Sequence, residues 1–194
     1  MIDLHSHILP GIDDGPATLE ESLALAKRYI KAGFSRVVAT PHWIFGTAFM
    51  PGPEEILTRV EELNRALESE GLELRVSGGM EIAMDPKIPA MLDMGRLLTL
   101  GGSPYVLIET PFQMLPVGWE QLFFAIAAKG YRIVLAHPER CAQIIDNPGM
   151  VDRLVAAGAY FQANYDSFLG VNGEMVLKTG MALLDRGCID YLAS

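Results

Sequence analysis

Short apolar runs rich in β-branched residues recur along this chain, and stretches of helical period separate them. Met1 to Leu4, Val37 to Thr40, Leu74 to Val76 (leading on towards Gly78, Gly79 and Glu81), Tyr105 to Ile108, Ile133 to Ala136, Tyr160 to Asn164 and Ile189 to Ala193 read as strands. Helical patterns run from about Thr18 to Ala32, Pro53 to Glu70, Trp119 to Lys129, Met150 to Ala157 and Glu174 to Asp185. Thr18 with Glu21 fits a capping box, and Gly33 suits the end of the first helix. Such alternation predicts an α/β fold with a parallel sheet. Roughly seven strand–helix units favour closure into a barrel over a small open sheet. At 194 residues, with a hydrophobic content of 50% spread along the whole length, a single domain over residues 1–194 is expected.

The net charge of −9, without a lysine or arginine run, argues against nucleic-acid binding. It leaves an anionic substrate open, because bound metal ions reverse the local sign. The two cysteines, Cys141 and Cys188, form no CxxC pair, which fits a reducing compartment. No positive region precedes an apolar stretch at the start, and no apolar run is long enough to span a membrane. A cytoplasmic location without membrane insertion is expected. Oligomeric state is not legible in the sequence.

All four histidines, His5, His7, His42 and His137, fall within a few residues of the end of an apolar strand. Glu81 and Glu109 occupy matching places. A lone histidine is more often structural than a ligand. Recurrence at strand ends shifts the balance to a site, because reactive residues gather where the strands of a βα barrel end. His5 and His7 are two apart, so on a strand they point the same way and can chelate one ion. Mixed imidazole and carboxylate ligands suit zinc, manganese or iron. Asp13 and Asp14 lie in a turn, where simple turn chemistry is the plainer reading; Asp14 is narrowly preferred as a ligand. Arg140 is the best anion clamp, since its planar fork can bind two phosphate oxygens. An ion pair with a nearby carboxylate such as Glu139 is the alternative. The apolar residues between Trp43 and Pro53 either receive an aromatic ring or pack on the barrel.

Rival chemistries are absent. A cysteine phosphatase needs an arginine six residues after its thiolate, and those positions hold Asn147 and Ser194. There is no GxSxG elbow and no GxxxxGK[ST] loop. The Gly78-Gly79 and Gly101-Gly102 pairs read as turns.

The segments "DLHSHILPGIDDG", "TPH", "GGMEI", "IETP" and "HPER" follow one another in an order that resembles the PHP (polymerase and histidinol phosphatase) superfamily. More narrowly, they resemble its bacterial manganese-dependent protein-tyrosine phosphatases of capsular and exopolysaccharide biosynthesis. The resemblance covers nearly the whole chain. It implies a distorted (β/α)7 barrel with up to three divalent transition metals, manganese first and iron or zinc as alternatives. Carried over by motif, His5 and His7 bind one ion and Glu81 bridges two. Glu109 and His137 serve the second, and His42 with Asp14 the third. Arg140 holds the phosphate, and Arg140 and His42 are the expected catalytic residues. The implied reaction is hydrolysis by a metal-activated water. The implied substrate is a phosphotyrosine in the tail of a bacterial tyrosine kinase that regulates polysaccharide export.

The family pattern continues with Ser-Asp-x-His after its last strand, whereas this sequence reads "DYLAS". The expectation is therefore a domain truncated at its C-terminus, or one lacking two ligands and full activity. Two other functions stay open on the sequence. One is a small-molecule phosphatase of histidinol-phosphate type, and the other is a catalytically weak binding protein on the same fold.

Overall fold

In the computed structural model, residues 1–193 are described. The expectation attached to Ser194 lies outside them. The chain forms two compact units. One comprises Met1–Glu81 and Met91–Ser103; the other comprises Ile82–Ala90 and the chain from Pro104 onward.

The first unit holds β1 (Ile2–Ser6), α1 (Leu19–Lys31), β2 (Arg36–Ala39), β3 (His42–Trp43), α2 (Pro53–Ser69) and β4 (Arg75–Gly78). Strands β1, β2 and β4 form a parallel sheet in that order. The β1–β2 register shifts between Asp3 and Ser6. Such an irregularity re-aims the side chains beside it, and His5 sits inside it. Thr18 caps α1 by accepting from the Glu21 N–H at 3.3 Å. Glu21 reaches back to the N–H of Ala17 rather than to that of Thr18, at 2.7 Å. Its acidic first turn and basic last turn complement the helix dipole. Gly33 follows with φ +86°, a left-handed conformation that costs a residue without Cβ little. From α2, the buried Asn64 side chain donates to Val76 O at 2.8 Å and accepts from Val76 N at 2.9 Å. That pair serves β4 as a missing strand partner would.

The chain leaves this unit in β5 (Glu81–Ala83) and returns within α3 (Ile88–Asp93). The second unit continues with β6 (Tyr105–Glu109), α4 (Trp119–Ala127), β7 (Arg132–Ala136), α5 (Ala142–Asp146) and α6 (Gly149–Ala156). It ends with β8 (Tyr160–Asn164), α7 (Tyr165–Phe168), α8 (Glu174–Asp185) and β9 (Tyr191–Ala193). Strands β6, β7, β8 and β9 lie side by side in sequence order, all parallel. Val106, Leu107, Ile108, Val134 and Leu135 are fully buried. Burial on both faces explains why β6 and β7 read as unbroken apolar runs.

The fold is thus mixed α/β with parallel sheets. The segment from Leu74 to Glu81 departs from its sequence reading. It is two strands, β4 ending at Gly78 and β5 starting at Glu81. A Cβ at Gly79 would stand 3.0 Å from Val38 Cγ1 and 3.2 Å from Thr40 Cγ2, so the backbone at the break packs closely against β2 and the residue after it. No helix among the described residues is long and apolar enough to cross a membrane.

Candidate metal centre

In the first unit, β1 delivers His5 and the residue just beyond its end, His7. Their Nε2 atoms are 3.3 Å apart. The Glu81 Oε2 atom stands 3.3 Å from His5 Nε2 and 3.4 Å from His7 Nε2. Glu81 is held there by its own N–H, which donates to Pro41 O at 3.1 Å. His42 lies next in the cluster, its Nδ1 3.0 Å from Glu81 Oε2. Its Nε2 faces Asp14 Oδ1 at 3.6 Å, and Asp14 Oδ1 is 3.8 Å from His7 Nδ1. Two ligand groups overlap here: His5 with His7 and Glu81, and His7 with Asp14 and His42.

This arrangement fits a divalent ion. Donor atoms each ~2.1 Å from a shared tetrahedral ion stand ~3.4 Å from one another. The His5, His7 and Glu81 atoms already have that spacing. Two imidazoles and a carboxylate make a set suited to zinc, manganese or iron, with no thiolate present.

Asp13 does a different job from its neighbour. Its carboxylate is buried and accepts from His7 Nδ1 at 2.6 Å. It also accepts the N–H groups of Gly15 and His42, at 3.0 and 3.2 Å. Pinning Nδ1 turns the Nε2 lone pair of His7 towards His5 and Glu81, as carboxylates behind ligating histidines do. Burial works against charge on His7, but the hydrogen bonds and charges of Asp13 and Glu81 outweigh it and push its pKa up to about 10. Burial likewise disfavours the charged Asp13, and the bond and charge of His7 with the two backbone donors outweigh it, lowering its pKa. A proton thus holds together a cluster that a metal ion would hold by displacing it.

Gly15 completes the turn. A Cβ there would lie 2.2 Å from His7 O, 3.0 Å from His7 Cβ and 3.1 Å from Asp13 Oδ1. Only a residue without a side chain lets the aspartate turn close on His7.

The second unit presents its own strand-end set. Glu109 ends β6 in register with Ala136, and His137 follows directly. His137 is buried and has φ +39°, the one positive φ outside glycine among the described residues. Such strain persists only where neighbours over-determine it, and it concentrates at functional sites. Here the N–H of His137 donates to Gln162 O at 2.7 Å. The Phe112 ring stacks on His137, with centroids 5.7 Å apart and an 18° interplanar angle. The Arg140 guanidinium lies 4.7 Å from the Phe112 centroid. Phe112 is fixed by its carbonyl, which accepts from Ala142 N at 2.8 Å. Glu139 is no partner for Arg140: its buried carboxylate takes Asn164 N at 3.0 Å and Ser167 Oγ at 2.7 Å.

Within the first unit, then, His5, His7, Asp14, His42 and Glu81 come together. Within the second, Glu109, His137 and Arg140 share neighbouring strand ends. Sequence reasoning missed Phe112, which lies in no motif, and weighed Asp13 only as a turn residue or the less favoured ligand of the Asp13–Asp14 pair, not as the partner behind His7. The six-residue spacing of His7 and Asp13 held no signal until the turn folded.

The fold and this histidine–carboxylate cluster define an α/β protein with a site that could hold a metal ion. The chain belongs to the CpsB/CapC family of capsular polysaccharide synthesis, whose model matches residues 1–194. It is 35% identical to the tyrosine-protein phosphatase YwqE of Bacillus subtilis over 194 residues, all of this chain and 76% of YwqE. The tyrosine-protein phosphatase CpsB of Streptococcus pneumoniae is 29% identical, with 100% of this chain and 82% of CpsB covered. A crystal structure from work on YwqE and CpsB, described as unique metal-dependent tyrosine phosphatases, superposes with a TM-score of 0.96. That match has 35% identity and covers all of this chain and 78% of the other.

Proposed function

We propose that this protein is a metal-dependent tyrosine-protein phosphatase acting on a phosphotyrosine-bearing tail of a bacterial kinase in polysaccharide export. The observation that carries this reading is the convergence of His5 Nε2, His7 Nε2 and Glu81 Oε2 at 3.3–3.4 Å. It occurs in a chain 35% identical to a tyrosine-protein phosphatase. The remaining ligands follow the family resemblance: Glu109 and His137 for a second ion, His42 and Asp14 for a third, with manganese the metal. A PHP-type (β/α)7 barrel as one domain and a cytoplasmic location belong to the same reading.

Bound metal ions supply charge neutralisation for the phosphate and an acidified water for attack. The chain's own residues prepare the rest. Asp13 keeps the Nδ1 proton of His7 and so leaves Nε2 free to ligate. The Arg140 fork, steadied on Phe112, matches two phosphate oxygens and can stabilise their charge as the ester bond breaks. A tyrosine leaving group has a conjugate acid of pKa ~10, far below that of an alkyl alcohol, so its departure needs little help from a general acid. No covalent intermediate with the protein is required.

The test is elemental analysis after manganese loading, together with turnover of a phosphotyrosyl peptide. The expected result is more than one metal per chain, with turnover lost in His7→Ala and in Glu81→Gln. A folded protein that takes up no metal and releases no phosphate would refute the reading.

A further inference from the structure

The loop after β3 holds large apolar side chains that are part-exposed. Trp43 anchors it at 2% exposure, whereas Phe45, Phe49 and Met50 are 42%, 37% and 46% exposed. Phe45 contacts the Trp43 ring, with centroids 6.2 Å apart, but packing within the loop does not account for the part-exposed Phe49 and Met50 beside it. The loop is nevertheless closed. Ile44 N donates to Phe49 O at 2.6 Å, and the Thr47 hydroxyl donates to Ile44 O at 2.9 Å while accepting from Phe49 N at 3.1 Å. Gly46 takes the turn at φ +77°. The backbone of Phe49 is therefore fixed by hydrogen bonds at both its N–H and its carbonyl, and its ring sits 6.1 Å from that of His42, tilted by 53°. His42 in turn contacts Glu81 and Asp14. An exposed, pre-positioned aromatic ring thus borders the ligand cluster within the first unit.

We propose that Phe49 is the wall on which the phenol ring of the substrate packs, so that this loop confers preference for aryl over alkyl phosphate esters. The inference rests on the phosphatase reading and adds a specificity-determining residue to it. A flat ring beside the cluster gives an aromatic leaving group offset or edge contact, which an alkyl chain cannot match. Because the loop is internally bonded, little ordering is needed on binding.

The experiment uses the full manganese-loaded chain and three probes. These are a phosphotyrosyl peptide, the same peptide carrying a non-hydrolysable phosphonomethyl-phenylalanine, and inorganic phosphate as a ringless competitor. Phe49→Ala should raise KM for the phosphotyrosyl peptide and weaken calorimetric binding of the phosphonate peptide, each by about tenfold. The inhibition constant of inorganic phosphate should not move. Phe49→Trp should restore both. The proposal is overturned if Phe49→Ala leaves the peptide constants unchanged, or if it shifts the phosphate constant equally, which would place its effect at the metal cluster. A wild-type protein inactive on the peptide and unable to bind the phosphonate overturns the phosphatase reading itself. An active wild type with either of the former outcomes removes only the role of Phe49.

Discussion

The guanidinium of Arg140 lies over the ring of Phe112, 4.7 Å from its centroid, and the same ring stacks on His137. One exposed phenylalanine therefore steadies both the strained histidine and the proposed phosphate clamp. The ring attracts the cation without occupying its N–H groups, which stay available to an anion.

Arg140→Lys should impair turnover even though charge is kept, because an ammonium offers no planar fork. Phe112→Ala should weaken inhibition by inorganic phosphate about two- to fivefold, the equivalent of a partly exposed cation–π contact. Steady-state kinetics on both variants checks this. A lysine variant with wild-type constants would give Arg140 a structural role.

Asp13 should matter to metal affinity as much as a ligand does. Asp13→Asn keeps the volume but removes the charge behind His7, and loss of such a partner costs about 10- to 100-fold in affinity. Manganese titration by calorimetry is the measurement. Unchanged affinity in a folded Asp13→Asn protein would mean that the 2.6 Å bond to His7 has no part in ligation.

The thiols should be dispensable. Cys141 is fully buried, and burial pushes its pKa up, which disfavours the thiolate. A Cys141→Ser, Cys188→Ser double variant should retain metal-supported turnover. Its loss, with folding intact by circular dichroism, would point to a cysteine nucleophile instead.

Stability of the metal-free protein should depend on pH through His7. Its folded pKa of about 10 lies above the ordinary 6.5, so its contribution is complete below about pH 6.5 and disappears as pH rises through about 10. Asp13, shifted down from 3.8, contributes above that value and loses its contribution as pH falls through its depressed folded pKa. Urea unfolding of chelator-treated protein should show a falling midpoint from about pH 6.5 to about pH 10, absent in His7→Gln. An equal slope in both proteins would assign the dependence to other groups.

The longer elements were legible because their periodicity was. Tyr160–Asn164 and Glu174–Asp185 have the limits that the apolar pattern predicts. Strands β3 and β5 escaped notice, being two and three residues long, too short to show any period. The pairing of His5 with His7 could be read from a spacing of two, since alternation along a strand is local geometry. The division of labour between Asp13 and Asp14 could not. Adjacent turn residues have the same chemistry, and only the folded turn makes one side chain fully buried and leaves the other 68% exposed. Phe112 gave no signal either. Its place against His137 comes from hydrogen bonds to the start of α5, far along the chain.

Gly15 bears on how freely this chain can vary. Ligands can often be exchanged for other ligands, and the metal choice shifts accordingly. At Gly15 the requirement is for an atom to be missing, and even the smallest addition, a methyl group, would meet the His7 carbonyl at 2.2 Å. A collection of inactive variants should therefore include Gly15→Ala beside the histidine changes, although residue 15 brings no side chain that could donate to an ion. Its phenotype would be that of a lost ligand, inherited through a residue with no chemistry of its own.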